Sequence, residues 1–156
     1  VEAREWDYVL IHHSATEVGS VAAIDAVHRQ RMDANGNPWL GIGYHFVIGN
    51  GHGMEDGQIE ATFRWTEQLA GAHAGIAEYN SHGVGICLIG NFEETPPTEA
   101  QLASLYALID WLRAEYALPP EALVRHQDVR ATACPGRLFP WEEVSRTWIE
   151  SAGLAP

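Results

Sequence analysis

The sequence predicts an α/β fold in which a central mixed β-sheet is flanked by helices. Short runs rich in β-branched and aromatic residues alternate along the chain with stretches of helical periodicity. The run 84–89 is apolar throughout, which is typical of a strand covered on both faces. With 156 residues the chain is long enough to form its own core. We therefore expect a single domain over 1–156, with the most informative motifs between 6 and 141.

The first half of the chain predicts one helix and three strands. The helix is expected over 20–33, because Ser20 is a good N-cap and apolar residues then recur at helical spacing. The strands are expected at 6–11, at 44–48 and, less regularly, at 54–62, the last two following each other through a turn at Asn50-Gly51.

The second half is more sharply delimited. An irregular loop is expected over 71–81, before the apolar strand. Thr98 and Gln101 form a capping-box pattern, so a helix is expected over 99–116, where Pro119-Pro120 prevents its continuation. The remaining elements are a short strand at 123–125 and a last helix from 140 or 141 to about 151.

Composition argues against two classes of partner. Nine basic and twenty-one acidic residues give a net charge of −12, which disfavours nucleic acid and anionic membranes. No apolar run has the length of a membrane span, and no basic segment followed by an apolar core indicates a signal peptide. A mature secreted protein would look the same, because cleavage removes the signal. We expect a monomer.

A cysteine and several histidines could form a metal site. His126 and Cys134 are eight positions apart, and His12 and His13 end the first predicted strand. Two imidazoles and one thiolate make a three-ligand zinc set with an open fourth position, which is typical of catalytic zinc. Adjacent strand residues point to opposite faces, so only one of His12 and His13 can face such a site. Spacing alone leaves that choice open. The second cysteine, Cys87, lies in the apolar run and is expected to be a buried thiol.

Six short motifs in order resemble the zinc-dependent N-acetylmuramoyl-L-alanine amidase family, which includes phage lysozyme-like amidases and animal peptidoglycan recognition proteins. The motifs span roughly residues 6 to 141: His12-His13-Ser14-Ala15-Thr16, Gly43-Tyr44-His45-Phe46, Gly71-Ala72-His73-Ala74, Gly85-Ile86-Cys87-Leu88-Ile89-Gly90-Asn91-Phe92, His126-Gln127-Asp128 and Cys134-Pro135-Gly136.

The resemblance implies specific site residues. It makes His12, His126 and Cys134 the ligands of one zinc ion, and it places Tyr44 beside the metal as a catalytic residue. Thr132 falls on a position that is lysine in some phage members and threonine in recognition proteins. Zinc would lower the pKa of a bound water, and the Tyr44 phenol or the Thr132 hydroxyl could donate to the developing oxyanion. Of the two we expect Tyr44 to contribute more.

One position departs from part of the family. Another branch carries a glutamate that can shuttle protons where this chain has Cys87. The residue that moves the proton is therefore left open.

Four residues are candidates for substrate binding. By resemblance, His73 and Asn80 line the groove, although Asn80 could instead stabilise a turn and His73 could be a solvated loop residue. Trp39 and Trp65 are expected in loops and are groove candidates for that reason. The other four tryptophans are expected in the core: Trp6, Trp111, Trp141 and Trp148. His28 and His45 are expected to be structural.

The resemblance implies hydrolysis of the amide between N-acetylmuramic acid and L-alanine in bacterial peptidoglycan, as in an endolysin or autolysin. A phage enzyme would reach the wall from the host cytoplasm, and a mature secreted enzyme would act outside the cell or in the periplasm. The alternatives are a peptidoglycan receptor of the same fold without hydrolysis, and an amidase for soluble muropeptides. Retention of Cys134 favours an enzyme.

Overall fold

The computed structural model describes residues 1–153 and contains a five-stranded sheet in the order β3-β2-β4-β1-β5. The strands are β1 (Tyr8–His13), β2 (Phe46–Ile48), β3 (Ile59–Ala61), β4 (Gly83–Leu88) and β5 (Leu123–Arg125). β2, β4, β1 and β5 run parallel, and β3 pairs antiparallel with β2. The predicted mixed sheet is confirmed. The predicted domain includes 154–156, which lie outside the described residues.

Helices cover the sheet on both faces. They are α1 (Val21–His28), α2 (Phe63–Thr66), α3 (Ala77–His82), α4 (Glu99–Tyr116), α5 (His126–Val129) and α6 (Trp141–Gly153), with one 3₁₀ turn at Pro120–Ala122. No helix within the described part of the chain has the length and apolar character needed to cross a bilayer.

The larger core lies between the sheet and the helices α4 and α6. Alternate strand residues such as Val9 and Ile11 of β1 point into it, where Leu105, Leu112 and Trp148 are almost fully buried. On the other face, Val47, Cys87 and Ile89 pack with Ile42 and with residues of α1. Consecutive residues of β1 therefore face different layers, and this alternation decides which of its two histidines can contribute to a site.

α4 matches its predicted bounds, since Thr98 accepts from the Gln101 amide and the Gln101 side chain accepts in return from Thr98. α1 is shorter than the predicted 20–33. Ser20 caps it as expected, but the helix ends at His28. Beyond it, Asp33 accepts from the amides of Asn35 and Asn37 and closes a turn that the helix cannot continue through.

Three other expectations are corrected. The loop expected over 71–81 contains α3, and of the strand expected over 54–62 only β3 forms. Trp111 is 48% exposed rather than part of the core, since it lies on the outer side of α4, with its ring centre 6.0 Å from that of Trp65. Trp6 and Trp148 are buried as expected, and Trp141 packs partly buried against the core.

Candidate metal centre

Three side chains converge at the carboxyl edge of the sheet. His12 lies near the end of β1, and His126 follows the neighbouring parallel strand β5 as the first residue of α5. Cys134 comes from the loop that returns from α5. The possible ligand atoms of His12, His126 and Cys134 all lie within 4.8 Å of one another. The sheet thus brings together residues that are 122 positions apart in sequence.

The two adjacent histidines of β1 have different surroundings. His12 pairs in register with Cys87 and faces the α1 side of the sheet, where its Nδ1 lies 3.7 Å from the Cys134 sulfur. His13 faces the other side, packs against Phe92 and accepts the Phe92 amide at its Nδ1. Only His12 of this pair points into the cluster.

In each histidine of the cluster, one ring nitrogen faces away from the other ligand atoms and lies within hydrogen-bonding distance of another group of the protein. Nε2 of His126 lies 3.1 Å from the carbonyl oxygen of Ala74, which can only accept. Nε2 of His12 lies 2.9 Å from Nδ1 of His73. In both rings the nitrogen that remains for a ligand is Nδ1.

Burial keeps the cluster neutral in the absence of a cation. It lowers the pKa of His12 well below 6.5, with neighbouring His73 and His126 acting in the same direction. It also raises the pKa of the Cys134 thiol to about 12, although the His13 amide, which donates to the sulfur, opposes this. Two imidazoles and a thiol that a cation can deprotonate fit a zinc ion.

The cluster borders an open cavity of about 440 Å³, which we call the metal cavity. Its lining includes Tyr44, Glu93, His126, Thr132 and Cys134. An open side next to three ligands is what a catalytic zinc site requires and what a closed structural site lacks.

Tyr44 and Thr132 both border this cavity. The Tyr44 ring lies 5.1 Å from the His12 ring. Burial, together with Cys87 and Cys134, raises the pKa of the Tyr44 phenol well above 10, so it keeps its proton at neutral pH. Thr132 is exposed, and its hydroxyl accepts from the Cys134 amide at 3.3 Å.

Glu93 also lines the metal cavity, and sequence reasoning did not single it out. Its carboxylate accepts from the Arg137 amide. The one available signal was its position two residues after Asn91, at the end of a recognised motif.

The structure places His73 beneath the cluster, which corrects its expected position on the groove surface, and Asn80 is half-buried and bonded to the same segment. His73 is only 7% exposed, and burial lowers the pKa of its ring to about 3. The Asn80 side chain accepts from the amides of His73 and Ala74 at 2.9 and 2.8 Å. Asn80 therefore stabilises a turn, the alternative considered from sequence.

The two tryptophan candidates lie apart. Trp65 packs on the α4 side of the sheet with Trp6 and Phe46, which corrects its expected groove position. Trp39 lies beyond α1, with His28 against its ring and the Arg31 guanidinium 5.3 Å from its centre.

His28 and His45 are buried and bonded to the backbone. Nδ1 of His28 accepts the Gly43 amide, and Nδ1 of His45 accepts the Gly85 amide. These contacts are structural, as expected.

A second cavity of about 240 Å³ runs along α1 and shares Tyr44 with the metal cavity; we call it the α1 cavity. Its walls are largely small or apolar, as at Val18, Ile24 and Val27, and Arg31 borders it.

An α/β sheet with a two-histidine, one-cysteine cluster at its open edge is an arrangement that can hold a metal ion. The sequence profile of the N-acetylmuramoyl-L-alanine amidase family matches residues 2–137, and the chain belongs to this family.

Known relatives include recognition proteins and lytic enzymes. The peptidoglycan-recognition protein SC2 of Drosophila melanogaster is 31% identical over 147 residues, covering 90% of this chain and 73% of its own. The endolysin of Klebsiella phage KP32 is 30% identical over 137 residues, covering 85% and 82%. Among solved structures, the N-acetylmuramoyl-L-alanine amidase LysC from Clostridium intestinale is 36% identical with a TM-score of 0.76, covering 92% of this chain and 85% of its own.

Proposed function

We propose that this protein is a zinc-dependent amidase that hydrolyses the bond between N-acetylmuramic acid and L-alanine in bacterial peptidoglycan. The observation that carries the proposal is the cluster of His12, His126 and Cys134, which borders an open cavity. Membership of the amidase family and similarity to an endolysin support the same activity.

His12 and His126 would hold the zinc ion through Nδ1, and Cys134 would hold it as a thiolate. Zinc in such a site lowers the pKa of a coordinated water to roughly 7 and polarises a carbonyl group. The charge of the thiolate partly offsets that of the cation. Because both imidazoles are neutral, neither has to lose a proton before binding.

Tyr44 would stabilise the oxygen anion that forms during attack on the amide. Its phenol keeps a proton at neutral pH and lies next to His12 at the junction of the two cavities. A donor fixed in a buried position needs little reorganisation when the charge develops. The Thr132 hydroxyl is a weaker candidate for the same role, because it is exposed and water screens a donor that is not buried.

The stem peptide would lie in the α1 cavity. Its apolar wall suits alanine side chains, and the Arg31 guanidinium at its border suits a peptide carboxylate. Trp39 would act indirectly, since its ring contacts Arg31 and His28.

The test is loss of turbidity of purified cell walls. We expect lysis in the presence of zinc, and loss of lysis on chelation or in Cys134→Ser. Cys87→Ala is the control for loss of a cysteine, because Cys87 is a buried thiol that is not one of the three ligands; it borders Tyr44, so the rate of lysis can change, but lysis should remain zinc-dependent. Lysis that survives both chelation and Cys134→Ser would refute the zinc mechanism. Tight binding to peptidoglycan fragments without cleavage would favour a receptor.

A further inference from the structure

The segment His73-Ala74 contacts both histidines of the metal cluster from the protein side. Nδ1 of His73 lies 2.9 Å from Nε2 of His12, and the Ala74 carbonyl oxygen lies 3.1 Å from Nε2 of His126. Two consecutive residues therefore reach the nitrogens of His12 and His126 that face away from the cluster.

The hydrogen-bond partners define where the protons lie. Nε2 of His73 is 3.0 Å from the carbonyl oxygen of Gly83, which can only accept, so Nε2 of His73 carries a proton. Nδ1 of the neutral His73 ring is then an acceptor, and it can take a hydrogen bond only from a protonated Nε2 of His12. That leaves the lone pair of His12 on Nδ1, the nitrogen that faces Cys134.

The space for the His73 ring is created by two glycines. A Cβ at Gly85, in the middle of β4, would lie 2.7 Å from the ring, and a Cβ at Gly71 would also collide with it. The ring thus packs closely against the backbone of both glycines beneath the cluster. Its position is set by packing as well as by hydrogen bonds.

Asn80 fixes the backbone of this segment. Its side-chain oxygen accepts from the amides of both His73 and Ala74, and its own carbonyl oxygen accepts from the Gly71 amide. Ala72 is held by a further backbone bond to Gly43. Small movements of the segment would shift both outer hydrogen bonds of the cluster at once.

We propose that His73, with Ala74 and held by Asn80, is the positioning element that sets both cluster histidines to bind the metal through Nδ1. His73 is a positioning residue and does not touch substrate or metal. The inference rests on the proposed zinc site, for which it identifies the groups that hydrogen-bond the two ligating histidines. Such outer partners of ligating histidines orient the ring and strengthen metal binding.

The test measures zinc affinity of the purified protein by competition with a chromophoric chelator. His73→Phe keeps the ring volume but removes the acceptor, and we expect zinc affinity to fall by roughly 10- to 100-fold. His73→Asn restores an oxygen acceptor near the position of Nδ1 and should recover part of that loss. His45→Phe is the matched control, because His45 is equally buried and bonded to backbone but contacts no cluster ligand; its zinc affinity should match wild type.

Two spectroscopic readouts separate positioning from a general loss of stability. In the zinc-loaded wild type, ¹⁵N shifts of the imidazoles should show protonated Nε2 and metal-bound Nδ1 for His12 and His126. In the cobalt-substituted protein, His73→Phe should alter the visible absorption bands of the metal, whereas His45→Phe should not.

The outcomes distinguish this inference from the proposed activity. Wild-type zinc affinity and an unchanged cobalt spectrum in His73→Phe would overturn the positioning role while leaving the amidase proposal intact. Reduced zinc affinity in His73→Phe, together with a zinc-loaded wild type that cleaves no peptidoglycan, would support positioning and refute the activity. A wild type that binds no zinc would overturn both.

Discussion

Removal of the Asn80 side chain should destabilise the protein even without metal. Its oxygen is the acceptor for two backbone amides, those of His73 and Ala74, and both residues are buried. In Asn80→Ala these donors lose their partner, and each buried donor without one costs about 1–3 kcal/mol. We therefore expect the free energy of unfolding to fall by about 2–6 kcal/mol, a large part of the stability of a domain of this size.

The assay is urea denaturation in the presence of a chelator, followed by the same measurement with zinc. Asn80→Asp is the control, because it retains an oxygen acceptor of the same reach and should lose much less stability than Asn80→Ala. Zinc should add less stability to Asn80→Ala than to wild type, since the segment beneath the cluster is no longer fixed. If Asn80→Ala unfolds at the wild-type urea concentration, the argument from the two amides is wrong.

Three further predictions concern catalysis, substrate and pH. Tyr44→Phe should lower kcat on muropeptides by roughly 10²- to 10³-fold, as for loss of an oxyanion donor, and Thr132→Val by less; a fully active Tyr44→Phe enzyme would remove the phenol from the mechanism. Arg31→Gln should raise KM for peptides with a free carboxylate while leaving kcat nearly unchanged. For an amidated peptide, the same KM in the wild type and in Arg31→Gln would support the contact, whereas a loss confined to kcat would contradict it. Folding lowers the pKa of His45 from 6.5 to about 4, mainly because the ring is buried. The neutral ring therefore leaves the free energy of unfolding at its full value above pH 6.5, and about 3 kcal/mol of it is lost as the pH falls from 6.5 through 4. Denaturation of the metal-free protein at pH 7 and pH 4 should therefore show a smaller pH effect in His45→Gln than in wild type, and an equal effect would count against the assignment.

Elements with local signals were predicted well from sequence. The capping box at Thr98 and Gln101 and the proline pair after the helix set both ends of α4. The end of α1 was not predictable in the same way. Asp25 pairs with Arg29 and also accepts the Ile42 amide, a contact between residues 17 positions apart that the local sequence does not reveal.

The spacing of residues along the sequence was not enough to identify the metal cluster. Alternation along β1 showed that only one of His12 and His13 could face the site, and the pairing of His12 with Cys87 places it on the α1 side. That pairing depends on the order and register of the strands, which the local sequence does not show. The choice between the two histidines came from the family resemblance rather than from the residues themselves.

The position of His73 could not be read from its own neighbourhood. A loop histidine is usually solvated, and only the contacts of His73 with His12, 61 positions earlier, and with Gly85 of β4 show that its ring is buried. Trp65 was misplaced for a similar reason. Thr62 caps a helix of four residues that directs this ring toward Trp6, 59 positions earlier in the chain.

The most direct test of the central claim is product analysis after digestion of purified peptidoglycan by the zinc-loaded protein. Cleavage at the proposed amide should create free amino termini on L-alanine without new reducing sugar ends. These termini should disappear after chelation, return when zinc is added, and stay absent in Cys134→Ser. New reducing ends, or L-alanine termini that form equally in Cys134→Ser, would contradict hydrolysis at the cluster of His12, His126 and Cys134.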